Sequence, residues 1–240
     1  MFNCVKEFFR KCICVIGDYT PENNMIISTA PTYISNVKVL IDAGHGIDTV
    51  GKRSPYSATG VVPSIEFYEW KWNREIANEV VRRLKTMKYD AELLVPEDND
   101  ISLSERVKRV NKYCDELGKE NVLLISIHSN ACGNGSKWEK ATGWEAYTSI
   151  GKTGSDDLCE IFYDAAQEMF YDRRIRYDWS DGDSDKEANF TMLKNTKCVA
   201  VLTENFFYDN VDDVQFILSK EGRERIVSLH TAVVEKYLGE

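Results

Sequence analysis

The sequence predicts an α/β fold: a single domain with a largely parallel mixed sheet and helices on both faces. Short apolar runs alternate with helical segments from Val37 onward, which is the order expected of βαβ units. Two of the runs, VLLISI and VAVL, are apolar throughout, as in strands buried on both faces of a parallel sheet. A hydrophobic content of 43% in 240 residues is sufficient for one substantial core.

The predicted strands are short, and each lies between polar or helical segments. They are VKVLID at 37–42, AELLVP at 91–96, VLLISI at 122–127, WEAYTS at 144–149 and VAVLTE at 199–204. Residues 1–36 do not share this alternation and predict an N-terminal arm or linker. The domain itself is therefore expected to cover residues 37–240.

Four helices are predicted between and after these strands. The first, at 68–87, has an apolar residue at every fourth position on one face, which is typical of an amphipathic helix. Those residues are Trp72, Ile76, Val80 and Leu84. The second, at 102–117, begins with the capping-box pair Ser102 and Glu105. The remaining two helices cover 155–171 and 221–238.

Composition excludes several classes of partner. The net charge is −9, from 39 acidic and 30 basic residues, which argues against non-specific binding to nucleic acid or to an anionic membrane. The apolar run CICVIG near the start is too short to span a bilayer, and we predict no stable membrane anchor. With seven cysteines and no recognisable signal peptide, we expect reduced thiols in a protein made in the cytoplasm.

Polar side chains follow three of the buried strands. His45 lies in the segment GHG after the first strand, and His128 and Glu204 stand at the ends of the third and fifth. In α/β sheets the carboxyl ends of the parallel strands form the ligand-binding edge, so these three side chains are expected to converge. The remaining histidine, His230, lies in the closing helix and is given no role.

Two imidazoles and one carboxylate would form a three-ligand metal site with a fourth position open, which is the arrangement of catalytic zinc. Glu66 and Glu69 are both candidates for the carboxylate, and either could instead be an ordinary acid in the first turn of a helix. The segment GHG could also be a phosphate loop, although it lacks the required length. Glu204 is either a general base for metal-assisted hydrolysis or a salt-bridged acid at a strand end.

Five motifs carry a family resemblance. IDAGHG, EWKWNREIA, SLSERVKRVN, LLISIHSNA and LKNTKCVAVLTENFFYDN stand in the order and spacing of the zinc-dependent N-acetylmuramoyl-L-alanine amidases of amidase family 3. The resemblance covers residues 37–238 and implies a zinc amidase catalytic domain. It implies one Zn²⁺ per chain, held by His45, Glu69 and His128, with Glu204 as the catalytic glutamate that acts as the general base. Glu69 is preferred to Glu66 because the family's ligand stands four residues before an Asn, here Asn73.

The chain departs from the family pattern in places. The segment 47–68 between the first two implied ligands is long, Cys198 replaces the usual Pro, and Asn205 lies where many members have apolar residues or Gly. The acidic stretch DWSDGDSDKEAN at 178–189 does not fit an EF-hand loop, since it lacks that loop's Gly and Glu positions. We expect it to be a solvated loop near the rim of the cleft rather than a plug.

The resemblance implies a peptidoglycan hydrolase that cleaves the amide between the lactyl group of N-acetylmuramic acid and L-alanine of the stem peptide. A phage endolysin is the expected setting, with a bacterial wall-remodelling amidase as the alternative. A zinc carboxypeptidase, a non-catalytic peptidoglycan-binding relative and a nucleotide-binding α/β protein are the rival functions. The oligomeric state is left open.

Overall fold

The central element of the fold is a mixed β-sheet. The computed structural model describes residues 33–55, 65–180 and 182–239, and in these residues six strands pair in the order β2-β1-β3-β6-β4-β5. The strands are β1 Lys38–Ala43, β2 Asp90–Leu93, β3 Val122–Asn130, β4 Glu145–Thr148, β5 Lys186–Glu187 and β6 Val199–Phe207. The pairs within β2-β1-β3-β6 are parallel, while β4 runs antiparallel to β6. The predicted fold class is confirmed.

Six helices and one 3₁₀ turn accompany the sheet in the described part of the chain. The helices are α1 Glu69–Thr86, α2 Leu103–Leu117, α3 Gly154–Met169, α4 Thr191–Lys194, α5 Val211–Leu218 and α6 Lys220–Gly239, and the turn is Lys119–Asn121. The four predicted helices correspond to α1, α2, α3 and α6. The sequence analysis missed α4, α5 and β5, which have eight residues or fewer and too little periodicity to detect.

The helices lie on both faces of the sheet because alternate residues of a strand pack in two separate apolar layers. Val39 and Ile41 of β1 pack in the layer that includes Trp72 of α1 and residues of α3 and α6. Leu40 of the same strand faces the other layer, which includes Val110 of α2 and residues of α4. The period of two along β1 therefore places one helix group on each face.

Both central strands are longer than predicted, and this places the polar residues inside the sheet. β3 and β6 each continue for three residues past their predicted ends, with His128 paired to Glu204. Asn130 then pairs with Phe207, so β6 contains one extra residue at this point. Phe206 accommodates it with a φ of 66°, and the result is a β-bulge directly beside Glu204.

Three other expectations can be compared with the structure. Ser102 caps α2, since its hydroxyl accepts a hydrogen bond from the Glu105 amide. The predicted solvated loop at 178–189 is partly wrong, because Ser184 and Asp185 are buried and the next two residues form β5. Residues 1–32 of the predicted arm at 1–36 lie outside the described residues. The domain boundary at residue 37 therefore stays a prediction.

A buried polar network joins Trp144, the residue before β4, to β6 and α6. The Trp144 indole donates to Asn205 Oδ1 at 3.1 Å, and Asn205 Nδ2 donates to Thr203 Oγ1 at 3.0 Å. His230 Nδ1 lies 2.7 Å from the Ile226 carbonyl and must donate to it, because a carbonyl only accepts. His230 Nε2 is then the acceptor for the Thr203 hydroxyl at 3.0 Å. The network needs a neutral imidazole.

Burial lowers the pKa of His230 to about 4, from an ordinary value of 6.5. The unfolded chain therefore binds a proton between pH 6.5 and pH 4 that the folded chain does not. This contribution to stability is fully present above pH 6.5 and is lost as the pH falls toward 4. Between pH 7 and pH 4.5 the unfolding free energy of the parent should fall by about 2 to 3 kcal/mol more than that of His230→Gln. Urea denaturation of both proteins at each pH measures it, and equal losses would contradict the assignment.

Candidate metal centre

Three side chains from distant parts of the chain lie close together at the carboxyl ends of the parallel strands. One ligand atom each of His45, Glu69 and His128 lies within 4.8 Å of the others, and in the described residues this is the one such group of three or more His, Cys, Asp or Glu. Glu69 Oε1 lies 3.4 Å from His45 Nε2 and 3.2 Å from His128 Nδ1. The structure thus brings together the three residues expected to hold the metal.

The two glycines around His45 provide space rather than conformational freedom. The left-handed conformation falls on His45 itself, with a φ of 63°. A Cβ atom on Gly44 would lie 2.1 Å from Cε1 of the His128 ring, and one on Gly46 would lie 2.0 Å from the backbone nitrogen of Asp100. The segment GHG therefore allows the imidazole of His128 and the loop at Asp100 to approach the backbone on either side of His45.

Two buried arginines hold the backbone of His45 in this conformation. Arg74 Nη1 donates to the His45 carbonyl at 2.8 Å, and Arg106 Nη2 donates to the same oxygen at 3.2 Å. Arg106 also donates to Asp42 Oδ1 at 2.7 Å and to the Ala43 carbonyl at 2.8 Å. A left-handed conformation at a non-glycine residue costs about 1 to 2 kcal/mol, and these hydrogen bonds offset it.

Glu69 is the first residue of α1 and is 1% exposed. Its backbone amide donates to the Lys52 carbonyl, and its Oε1 accepts from the Ser129 amide at 3.3 Å. Burial by itself raises the pKa of this carboxyl, but hydrogen bonds and charge interactions with His128 and His45 lower it well below its usual range. The side chain is therefore held as a carboxylate at neutral pH.

His128 is oriented from both sides. Its ring lies edge-on to the ring of His45, with the centroids 5.0 Å apart, and its carbonyl accepts from Asn205 Nδ2 at 2.9 Å. Burial by itself lowers the pKa of His128, but the hydrogen bond to Glu69 and the charges of Glu204 and Glu69 raise it overall. Because a metal competes with this proton, metal affinity should fall as the pH is lowered.

The donor set fits a divalent metal. Two imidazole nitrogens and one carboxylate are ligands that zinc accepts, and three protein ligands leave a coordination position open. Glu69 Oε2 is buried and has no hydrogen-bond partner among the described residues. The Lys52 ammonium lies 3.8 Å from this oxygen, beyond hydrogen-bond distance. A bound cation would compensate the buried carboxylate that these contacts leave incompletely satisfied.

Glu204 lies beside the cluster on the neighbouring strand, in register with His128. Its Oε2 is shielded from solvent and has no hydrogen-bond partner in the described part of the chain. Burial raises the pKa of Glu204 to about 8, with opposing contributions from the neighbouring charges of His128, which lowers it, and Glu69, which raises it. No ion pair of Glu204 occurs among the described residues, so the alternative of a salt-bridged strand-end acid lacks its partner.

A second buried carboxylate, which the sequence analysis missed, adjoins Glu204. Glu145 of β4 is in register with Glu204, and its Oε2 accepts from Arg176 Nε at 2.5 Å. Its Oε1 accepts from Asn130 Nδ2 at 2.7 Å and from the Tyr147 hydroxyl at 2.8 Å. Glu145 is thus fully hydrogen-bonded where Glu204 is not. No sequence motif marks Glu145, because its position depends on the antiparallel register of β4.

The other two candidates lie apart from the cluster. Glu66 is exposed and accepts a hydrogen bond from the Tyr68 hydroxyl at 2.7 Å, and it is not among the three clustered residues. His230 is buried in the network with Thr203 and Ile226. The preference for Glu69 over Glu66 thus agrees with the geometry.

The comparisons with known proteins agree on one family. The family model that matches residues 39–236 is described as N-acetylmuramoyl-L-alanine amidase. The endolysin of Bacillus phage SPP1 is 28% identical over 184 residues, which cover 75% of this chain and 58% of the endolysin. The N-acetylmuramoyl-L-alanine amidase CwlM of Bacillus licheniformis is 27% identical over 199 residues, which cover 81% of this chain and 66% of CwlM. The chain thus spans less than two thirds of the length of either relative.

Solved structures support the fold. An N-acetylmuramoyl-L-alanine amidase from Clostridium difficile 630 superposes with a TM-score of 0.67 at 26% identity, covering 86% of this chain and 99% of that one. The amidase Ami1 from Mycobacterium smegmatis gives a TM-score of 0.66 at 16% identity, covering 87% of this chain and 99% of that one. At 16% identity the second likeness concerns the fold alone.

The two glutamates can be separated by metal content. Glu69→Ala removes the carboxylate that lies between both imidazoles, and we expect zinc bound per chain, measured by elemental analysis after dialysis, to fall at least tenfold. Glu66→Ala removes an exposed carboxylate and serves as the matched control, with zinc content unchanged. The reverse pattern would mean that the carboxylate ligand is assigned three residues too late.

The Arg106 clamp can be tested by stability. Arg106→Met leaves the Asp42 carboxylate buried without its partner, and we expect a loss of about 3 to 5 kcal/mol in the free energy of unfolding. Arg109→Met removes ion pairs with Glu97 and Glu105 at the surface of the same helix, where we expect a loss of about 0 to 1 kcal/mol. Urea denaturation measures both, and similar losses would show that Arg106 is not a buried anchor.

Proposed function

The chain belongs to the N-acetylmuramoyl-L-alanine amidase family, and we propose that it hydrolyses the amide bond between the lactyl group of N-acetylmuramic acid and L-alanine of the peptidoglycan stem peptide. The observation that carries this proposal is the position of Glu204, in register with His128 of the three-residue cluster. A carboxylate with an unpartnered oxygen beside a metal-binding group is suited to act as the general base in metal-assisted hydrolysis of an amide.

His45, Glu69 and His128 would hold one zinc ion, which when bound supplies a Lewis acid for the substrate carbonyl and lowers the pKa of water. The ionised form of Glu204, which the positive charge of a zinc ion held nearby would favour, takes a proton from the water that attacks the carbonyl carbon. It then delivers that proton to the amide nitrogen as the C–N bond breaks, which releases a lactyl carboxylate and a free L-alanine amino group. A carboxyl with a raised pKa is suited to return the proton to the leaving amine.

A surface cavity beside the cluster provides room for the substrate. Its volume is about 380 Å³, and its lining includes Lys52, whose ammonium lies 3.8 Å from Glu69 Oε2. Ile47, Val50 and Trp70 contribute apolar surface to the same cavity. We assign this cavity to the part of the wall polymer that flanks the scissile amide.

The rival functions are less well supported. The family match favours the amidase over a zinc carboxypeptidase, and the presence of Glu204 beside the cluster argues against a non-catalytic relative. For the biological setting we propose lysis or remodelling of a bacterial cell wall, because the relatives include a phage endolysin and a Bacillus amidase. In the described residues, no helix has both the length and the apolar character needed to cross a membrane.

The bond that is cleaved can be identified directly. Purified peptidoglycan is digested with the zinc-loaded protein, and the soluble products are analysed by mass spectrometry. The proposal predicts free stem peptides that begin with L-alanine, together with glycan chains whose lactyl groups are free acids. Loss of C-terminal residues from intact muropeptides would instead identify a carboxypeptidase.

The role of Glu204 can be separated from metal binding. Glu204→Gln keeps the size of the side chain but removes the oxygen that accepts the proton, so turnover of peptidoglycan should fall by about 10² to 10⁴. Zinc content and melting temperature should not change, because the three ligands are intact. Glu66→Gln is the matched control and should retain the parent rate. A Glu204→Gln rate within threefold of the parent would remove Glu204 from the mechanism.

A further inference from the structure

The acidic segment 182–187 is packed against the sheet at β4. Asp185 is 1% exposed, and its Oδ2 accepts a hydrogen bond from the Thr148 hydroxyl at 2.6 Å. Thr148 is fully buried at the end of β4, and its carbonyl accepts from the Ala188 amide at 3.0 Å. The neighbouring Ser184 is also buried. These contacts hold the carboxylate of Asp185 away from bulk water.

Negative charge in this segment is not compensated. The Oδ1 atoms of Asp183 and Asp185 are both shielded from solvent, and no N–H or hydroxyl group of the described residues donates a hydrogen bond to either of them. The buried carboxylate of Asp156 lies near them and is already engaged with the amide and hydroxyl of Thr153 at the start of α3. In the described part of the chain no Lys, Arg or His forms an ion pair with Asp156, Asp183 or Asp185.

This negative charge raises the pKa values of neighbouring groups. Burial raises the pKa of Asp185 to about 7. The Thr148 hydrogen bond opposes the rise, whereas a hydrogen-bonding contact with the Asp183 carboxyl and the charges of Asp183 and Asp156 add to it. Burial also raises the pKa of the Cys159 thiol well above its usual range, and the same three carboxylates add to that effect. Buried carboxylates without a countercharge are costly, so a proton or a cation is required to neutralise them.

We propose that Asp183 and Asp185 form a second cation site, separate from the His45–Glu69–His128 cluster, which binds one calcium ion. The available ligands are carboxylate oxygens, which suit a hard cation rather than zinc. Backbone carbonyls of the segment and water complete the coordination, as calcium accepts six to eight oxygen ligands in flexible geometry. The site shares no residue with the cluster and does not depend on the amidase proposal.

The position of this site suggests its purpose. Asp185 directly precedes β5, and Lys186 of β5 places its ammonium 3.8 Å from Glu145 Oε2. Glu145 in turn is in register with Glu204. A calcium ion at Asp183 and Asp185 would fasten the segment to Thr148 and so stabilise the outer edge of the sheet next to Glu204.

The test uses the whole zinc-loaded protein and calcium chloride as the probe. Equilibrium dialysis with ⁴⁵Ca²⁺ should show one calcium bound per chain, with the zinc content unchanged. With calcium at about 100 times its dissociation constant, the melting temperature should rise by about 5 to 10 °C. No saturable binding at millimolar calcium, or binding that displaces the zinc, would overturn the proposal.

Two variants locate the site. Asp183→Asn and Asp185→Asn should each reduce calcium affinity at least tenfold and abolish the rise in melting temperature. Asp157→Asn, an exposed residue in the first turn of α3, makes the same change in charge and should bind calcium as the parent does. If Asp185→Asn does not fold, the parent titration and Asp183→Asn still decide. Unchanged calcium binding in Asp183→Asn would show that the ion binds elsewhere. A protein that is stabilised by a lower pH but not by calcium would show that Asp183 and Asp185 hold a proton instead.

Discussion

The geometry of the candidate metal centre depends on the hydrogen bonds and the ion pair that the Arg106 guanidinium makes. Arg106 is 2% exposed, and it joins α2 to the Asp42 carboxylate at the end of β1. The same group donates to the carbonyls of Ala43 and His45, so one side chain determines where the strand ends and how the next loop turns. An ion pair buried this deeply stabilises little by itself, since desolvation offsets the attraction. Its importance lies in holding His45 in a conformation that its own backbone disfavours.

The neighbouring carboxylates of the candidate site lie in different environments. Glu69 lies between two imidazoles and a backbone amide, which lower the pKa of its carboxyl. Glu204 has no such partners, and burial raises its pKa to about 8. Glu145, one strand further along, is saturated by Arg176, Asn130 and Tyr147. Acids whose pKa values are driven apart in this way divide naturally into a ligand and a proton carrier.

The sequence predicted the fold class and the convergence of His45, His128 and Glu204, because apolar runs reveal buried strands and parallel strands end at one edge. It could not predict the β-bulge at Phe206 or the role of Asn205, since both depend on the register between β3 and β6. Asn205 was a departure from the family pattern, and the structure shows that it links Trp144 to the His128 carbonyl. The burial of Asp185 was missed for the same reason, because an acidic segment looks solvated until its contacts in three dimensions are known.

We propose that two imidazoles and one carboxylate hold a catalytic zinc ion. Zinc K-edge X-ray absorption of the zinc-loaded protein tests this most directly, because the spectrum reports the ligand types and distances. The account predicts four nitrogen or oxygen ligands at about 2.0 to 2.2 Å, with the multiple scattering of two imidazole rings. A sulfur shell at about 2.3 Å, or scattering from fewer than two imidazoles, would contradict it.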